Sequence, residues 1–270
     1  MGVKIKIRLI GVDLDGTLLT SGKKIAKLTQ LALKKAQAQG ITVVPVSGRP
    51  VTGVRPHMQT LGLPADNPLI LYNGAEAETM AGKVLFAHCF DAKQADVFSK
   101  FAQETGSQLL FMHDDGYYTL DQVETPFIKH LASMNFTYYL HVTEIPRQLH
   151  YFKAEYTGTP KQMDAVMKKV PPVLGQQFEI LRTGAQIVEC NLNTTSKGKA
   201  GAELAARLKI PQKEVMVFGD HRNDLSLFSD NEFFKVAMGN GVVELKDKAD
   251  FVTRTNDNNG IAYALNEFVL

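Results

Sequence analysis

Apolar residues in the first third of the chain run in short unbroken stretches, separated by segments with helical spacing. "IRLIGV" (7–12), "ITVVPV" (41–46) and "PLILY" (68–72) read as strands buried on both faces. Residues 24–39 put Ile25, Leu28, Ala32 and Ala36 on one helical face, and Gly40 stands at the C-terminal cap position. The last third resumes this rhythm. A helix carrying Ala200, Leu204 and Leu208 precedes the strand "EVMVF" (214–218), a short helix from Asn223, the strand "FFKVAM" (233–238), "DFVT" (250–253) and a closing helix. Continuously apolar strands joined by helices predict an α/β fold with a parallel sheet covered on both faces.

The middle of the chain differs. Residues 84–190 hold nine Phe and six Tyr, 15 of the 23 aromatic residues, which is enough for a core of its own. The pattern there predicts a strand (84–90), a helix (92–104), a hairpin around "HDDGYY", a helix (124–134), a strand (150–156), a helix (160–169) and two further strands. Gly82 and Gly184 punctuate its ends. The expectation is therefore a discontinuous parallel-sheet domain, residues 1–83 and 191–270, with a smaller α/β domain inserted at 84–190.

Composition narrows the function. A net charge of +2, with no basic block, gives no footprint for nucleic acid. No apolar run approaches the roughly 18 residues needed to span a bilayer, so no membrane partner is expected. The N-terminus enters a strand pattern directly, without the apolar region and small-residue cleavage site of a leader. Cys89 and Cys190 form no CxxC pair, which favours a reducing, cytoplasmic setting. The seven histidines show no zinc-ligand spacing.

In an open parallel sheet, ligands bind outside the carboxyl ends of the strands. The residues after each strand can be collected on that basis: Asp13 and Asp15; Ser47, Gly48 and Arg49; Asn73 and Gly74; Asp220, Asn223 and Asp224. With Lys197 nearby, the set suits a magnesium ion and a phosphate group. Each member also has a plainer use. Asp-x-Asp-Gly makes a turn, although a calcium loop is ruled out by Leu18 and Lys24 where glycine and glutamate would stand. Ser47 could cap a helix, and Asn73-Gly74 is a common tight turn. Lys197 opens a helix, where the macrodipole disfavours a cation unless an anion lies beside it. Hydrolysis of a phosphate monoester asks for the whole set. One carboxylate attacks phosphorus and a second, two residues on, moves protons. Cations and N–H groups stabilise the equatorial oxygens.

On these residues the chain resembles the haloacid dehalogenase superfamily. "DLDGTLL", "VSGRP", "SKGKA" and "GDHRND" match its four motifs in order, and "YNGA", "VAMGN" and "ADFVTRTNDNNGIA" are similar to its Cof-type subfamily, whose cap is inserted between the second and third motifs. Length and cap pattern are similar to sugar phosphatases of the YidA type. The resemblance implies a Rossmann-like core with an inserted cap, and hydrolysis of small phosphorylated metabolites, sugar phosphates above all. It makes Asp13 the nucleophile and a magnesium ligand, and Asp15 the acid/base, lending its carbonyl to the metal. The Leu14 N–H, Ser47, Gly48, Lys197 and Asn223 would bind phosphate. Asp220 would hold magnesium, with Asp224, Arg49 and Asn73 supporting. His221 and Arg222 fill variable positions, and "MGNG" stands where the family often has "MGNA". In the insert, His113, Asp114, Tyr117, Tyr118 and Lys153 could face an ester, or the tyrosines could simply pack the insert's core. A phosphomutase and a phosphate-binding sensor share these motifs; a sensor would have no need of Asp15. Neither the physiological ester nor the oligomeric state is legible here.

Overall fold

A computed structural model describes residues 4–114, 116–229 and 232–270. Contacts divide the chain into two compact units. The first comprises residues through Gly48, Val54–Phe86 and Ser196–Leu270; the second comprises Arg49–Gly53 and Ala87–Thr195.

The first unit starts with β1 (Leu9–Val12), α1 (Lys27–Ala38), β2 (Thr42–Pro45), α2 (Val51–Gln59, whose first residues fall in the second unit), β3 (Pro68–Leu71), β4 (Glu76–Thr79) and β5 (Val84–Ala87). The second unit holds β6 (Phe90–Asp91), α3 (Ala92–Thr105), β7 (Gln108–His113), β8 (Gly116–Thr119), α4 (Pro126–Asn135), β9 (Tyr139–His141), β10 (His150–Tyr151), β11 (Lys153–Thr157), α5 (Pro160–Lys169), α6 (Pro171–Leu174), β12 (Phe178–Gly184) and β13 (Ile187–Leu192). The chain then returns to the first unit through α7 (Lys197–Arg207), β14 (Val215–Gly219), β15 (Phe234–Ala237), α8 (Val243–Lys246), β16 (Phe251–Val252) and α9 (Gly260–Phe268).

The first unit's main sheet is parallel, in the order β16-β15-β14-β1-β2. β1 lies between β14 and the edge strand β2, with Val12 level with Phe218 on one side and Pro45 on the other. That register brings the segments after β1, β2 and β14 side by side, as the Asp13 N–H bonding Phe218 O at 3.1 Å shows. Leu9, Val44, Val215, Val217 and Leu204 bury their side chains in one apolar core.

Four local expectations are corrected. Leu28 is exposed, and α1 instead buries Thr29, Ala32, Leu33 and Ala36. Leu208 lies one residue past α7 and is partly exposed. β3 is not a member of the parallel sheet: it pairs antiparallel with β4, in a three-stranded sheet completed by β5, and touches the β2 segment through a single Val46–Ile70 bridge. The strand expected over 84–90 is accordingly two, β5 and β6, in different sheets.

The second unit is built on a six-stranded sheet ordered β12-β13-β11-β7-β8-β9, antiparallel except for β8 beside β9. Its core is the predicted aromatic cluster: Phe178 meets Phe90 and Phe98 edge-on, with centroids 5.3 and 4.8 Å apart. Its two long core helices start at capping boxes, Asp91 with Gln94 for α3 and Thr159 with Gln162 for α5. Along β11, Ala154 and Tyr156 enter the aromatic core, so strand alternation turns Lys153, Glu155 and Thr157 to the other face. Cys190 is buried against the second unit's aromatic core. Among the described residues no helix is long and apolar enough to cross a membrane.

Candidate active site

The end of β1 delivers Asp13, the end of β14 delivers Asp220, and the turn after β14 (Arg222–Phe228) delivers Asp224. Oxygens of these three carboxylates lie within 4.8 Å of one another. Lys197, the first residue of α7, closes the group: its Nζ donates to Asp13 Oδ1 at 2.5 Å and to Asp224 Oδ1 at 2.6 Å. Lys197 and Asp224 are fully buried and Asp13 nearly so.

Two glycines permit this convergence. At Gly198 a Cβ would strike the Ser226 carbonyl, so only glycine lets the start of α7 settle onto the turn that carries Asp224. The Gly198 N–H donates to Ser226 Oγ at 3.2 Å along the same seam. Gly16 has φ +78° and faces Asp220, whose carboxylate a Cβ would meet. Thr17, in the next position, donates its hydroxyl to Asp220 Oδ1 at 2.9 Å.

The charges explain each other. Burial alone would push the Lys197 ammonium down, but Asp13 and Asp224 outweigh it and hold it above its ordinary range. Burial, and then the Asp224 charge, push the Asp13 carboxyl well up against the pull of Lys197. Burial also raises Asp220 to about 6, with the Thr17 hydrogen bond opposing. Three carboxylates against one ammonium leave the ionised cluster two negative charges in excess. Asp224 is already saturated: Oδ1 accepts from Lys197, and Oδ2 accepts from the Asp220 and His221 N–H groups at 2.9 and 3.1 Å. Asp13 and Asp220 remain as oxygen donors for a hard divalent cation, so the residues fit magnesium in both charge and donor type.

The other expected residues fall as follows. The Asp15 side chain is not in the carboxylate group: it is partly exposed and accepts from Lys23 Nζ at 2.7 Å. Leu14 is buried. Ser47 is buried at the end of β2, where its N–H donates to Ile70 O at 2.9 Å and its carbonyl accepts from the Asn73 N–H at 2.9 Å. Asn73 lies in a three-residue turn, Tyr72–Gly74, with φ +58°, and its side chain lies where a Cβ on Gly48 would point. Asn223 is half-buried in the turn after β14. Arg49 belongs with the second unit, where its guanidinium donates to Met134 O at 2.9 Å. Thr17 and Gly198 carry no sequence-level role, although both lie inside the quoted motifs.

In the second unit, Lys153 is buried and paired with Glu155 at 2.6 Å and Glu189 at 3.3 Å. Tyr117 is buried, stacked on Tyr139, and its hydroxyl accepts from Asn135 at 2.6 Å. Tyr118 packs edge-on to Tyr151 and His113. Asp114 is the turn residue that follows β7; Asp115 lies outside the described residues.

A trio of aspartates, two buried and one half-buried, closed by a lysine at the carboxyl ends of parallel strands, defines a class of hydrolase. A family model for haloacid dehalogenase-like hydrolases matches residues 10–265, and the chain belongs to that family. It is 26% identical over 286 residues to Phosphatase YwpJ of Bacillus subtilis, covering 96% of this chain and 99% of that one. It is 25% identical over 293 residues to the B. subtilis 5-amino-6-(5-phospho-D-ribitylamino)uracil phosphatase YwtE, covering 97% and 98%. A haloacid dehalogenase-like hydrolase from Bacteroides thetaiotaomicron superposes with a TM-score of 0.87 at 26% identity, covering 97% of this chain and 99% of that one. Within the family this chain is a phosphomonoesterase.

Proposed function

We propose that the enzyme hydrolyses small phosphorylated metabolites, sugar phosphates foremost, through an aspartyl-phosphate on Asp13. The observation that carries this reading is the double ion pair of Lys197 with Asp13 and Asp224 beside Asp220, an anionic cluster built around a fixed cation. The polyol-like ester in the name of YwtE supports a sugar-like substrate class.

A magnesium ion held by Asp13, Asp220 and the Asp15 carbonyl would supply the positive charge that lets a carboxylate approach a phosphate dianion. The remaining work belongs to the chain. Asp13 attacks phosphorus, forming an Oδ–P bond as the ester P–O bond breaks. Asp15 gives its proton to the departing oxygen. Water then attacks the same phosphorus, Asp15 takes back a proton, and the Asp13–P bond breaks to release phosphate. Lys197 stays cationic throughout and, with the Leu14 and Gly48 N–H groups, Ser47 and Asn223, stabilises charge on the transferring group. Asp224 serves by holding Lys197 and the backbone at Asp220 and His221; Asn73 supports the Ser47–Gly48 turn, and Arg49 follows it. The first unit is read as the catalytic core and the second as the cap that selects the ester. A cytoplasmic setting accords with a sequence of only two cysteines, far apart and with no CxxC pair.

The test is phosphate release across a panel of sugar phosphates, nucleotides, flavin mononucleotide and pyridoxal phosphate, with and without magnesium. Metal-dependent release by the wild type, abolished in Asp13→Asn, supports the reading. Equal release by that variant ends it.

A further inference from the structure

The loop after Asp15 is fastened more thoroughly than a surface loop requires. The Leu18 and Leu19 N–H groups bond back to Asp13 O and Leu14 O at 3.1 and 2.9 Å. The chain then makes a tight hairpin, with a Leu19–Ile25 bridge, Thr20 N–H to Lys24 O at 2.9 Å and Lys23 N–H to Thr20 O at 2.8 Å. Lys23 occupies the left-handed region at φ +56°, a conformation that costs a non-glycine residue about 1 kcal/mol. From there its Nζ reaches Asp15 Oδ1 at 2.7 Å.

The hairpin is also clipped from outside by residues distant in sequence. Asn240 Nδ2 donates to Gly16 O and Asn256 Nδ2 to Leu19 O, both at 2.8 Å. Asp257 accepts from Ser21 twice, from its N–H at 2.8 Å and its hydroxyl at 2.7 Å. Asn240 and Asn256 are joined in turn, Asn256 N–H to Asn240 Oδ1 at 3.0 Å. These residues come from "VAMGN" and "TNDNNG", stretches that match the family and to which the chemistry above gives no part.

We propose that Lys23 is a positioning residue for Asp15, and that Asn240, Asn256 and Asp257 form the clip that holds Lys23 in place. An exposed ion pair contributes only about 0–1 kcal/mol to stability, so stability gives little reason for Lys23 to be held on Asp15. Orientation does. A proton donor must be aimed at the leaving oxygen as the P–O bond breaks, and a carboxylate on a free loop would sample many directions. The left-handed Lys23 and the clip hold the pair in one.

The inference rests on Asp15 being the acid, so the experiment separates the two. The readout is kcat/KM, which reports the phosphorylation half-reaction alone, for p-nitrophenyl, phenyl and p-methylphenyl phosphates with magnesium present. The nitrophenolate leaves with little need of a proton; the other two need one. Lys23→Ala is expected to lower kcat/KM about 10-fold for phenyl phosphate and less than about 2-fold for p-nitrophenyl phosphate, a part of the roughly 10²–10⁴ general-acid effect. Lys23→Arg should restore the wild-type slope, and Asp257→Ala, which keeps both charges but removes the clip, should lower kcat/KM for phenyl relative to p-nitrophenyl phosphate about 3-fold. Asp15→Asn should steepen the slope most. If Asp15→Asn leaves the slope unchanged, the proposed function fails. If Asp15→Asn steepens it while Lys23→Ala and Asp257→Ala shift all three esters equally or not at all, the positioning role alone is overturned.

Discussion

Lys197 and Asp13, 184 residues apart in sequence, meet at 2.5 Å inside the first unit, with Asp224 closing on the same ammonium at 2.6 Å. A buried cation between two carboxylates is a costly arrangement that holds only when all three are present. The pairing sets the protonation of the site and fixes the start of α7 to the end of β1.

Removing Lys197 should therefore act on stability as well as on turnover. Lys197→Ala leaves Asp13 and Asp224 buried without a counter-charge, and is expected to cost about 3–5 kcal/mol in urea unfolding of the metal-free protein. Activity should fall by at least about 10²-fold, as for loss of a charge-stabilising donor. Lys197→Ala with wild-type unfolding would mean that the ion pairs do not hold the fold.

Asp220 and Asp13, both raised by burial, carry the pH dependence, and Asp220 sets a window for it. Burial lifts its carboxyl from the ordinary 3.8 to about 6, so the folded state prefers the protonated form. The sign follows directly: its contribution is full below pH 3.8 and is lost as pH rises through about 6. Asp220 should cost the metal-free protein on the order of 2 kcal/mol across that window, and Asp220→Asn should remove that share while leaving the part that Asp13, also raised by burial, contributes. Apparent magnesium affinity should rise over the same window, because the proton competes for the carboxylate. Unfolding curves and magnesium titrations at several pH values check both.

Gly198→Ala tests the close approach of α7 without touching a charge. The added methyl meets the Ser226 carbonyl, which belongs to backbone and cannot turn aside. About 1–3 kcal/mol of destabilisation is expected, with a fall in kcat as Lys197 is displaced. Gly22→Ala, in open space but for Thr20 Oγ1 at 3.7 Å, serves as the control.

Much of this was legible because chemistry and pattern coincide at strand ends. β1, β2 and β14 are uniformly apolar and end in Asp13, Ser47 and Asp220, so the rim of the parallel sheet could be read directly. β4 was not legible, because "EAET" puts two glutamates into a buried strand. Glu78 is tolerated there through Arg55 at 2.5 Å, a partner 23 residues away. Without β4, β3 passes for a sixth parallel strand. Leu28 failed for a different reason: α1 carries apolar residues round much of its circumference, Leu31 among the exposed ones, and periodicity alone does not say which edge of a wide stripe faces the core. Lys23 was invisible because its reach depends on a hairpin whose clip lies more than 200 residues on.

In the second unit, the buried Lys153 between Glu155 and Glu189 should behave as a structural cluster whatever ester the enzyme takes. Lys153→Met strands two carboxylates on the buried face and is expected to destabilise by about 3 kcal/mol. Adding Glu155→Gln, which removes one of them, should recover part of the loss. Thermal unfolding of the single and double variants measures it.

The bond between Asp13 and phosphorus is open to direct detection. Enzyme mixed with p-nitrophenyl phosphate and magnesium, then quenched in acid within milliseconds, is digested and weighed by mass spectrometry. The peptide bearing Asp13 is expected to gain the mass of one phosphoryl group, and to lose that gain when magnesium is withheld or Asp13 is replaced by asparagine. Rapid release of phosphate with the Asp13 peptide unmodified at every quench time would contradict the account.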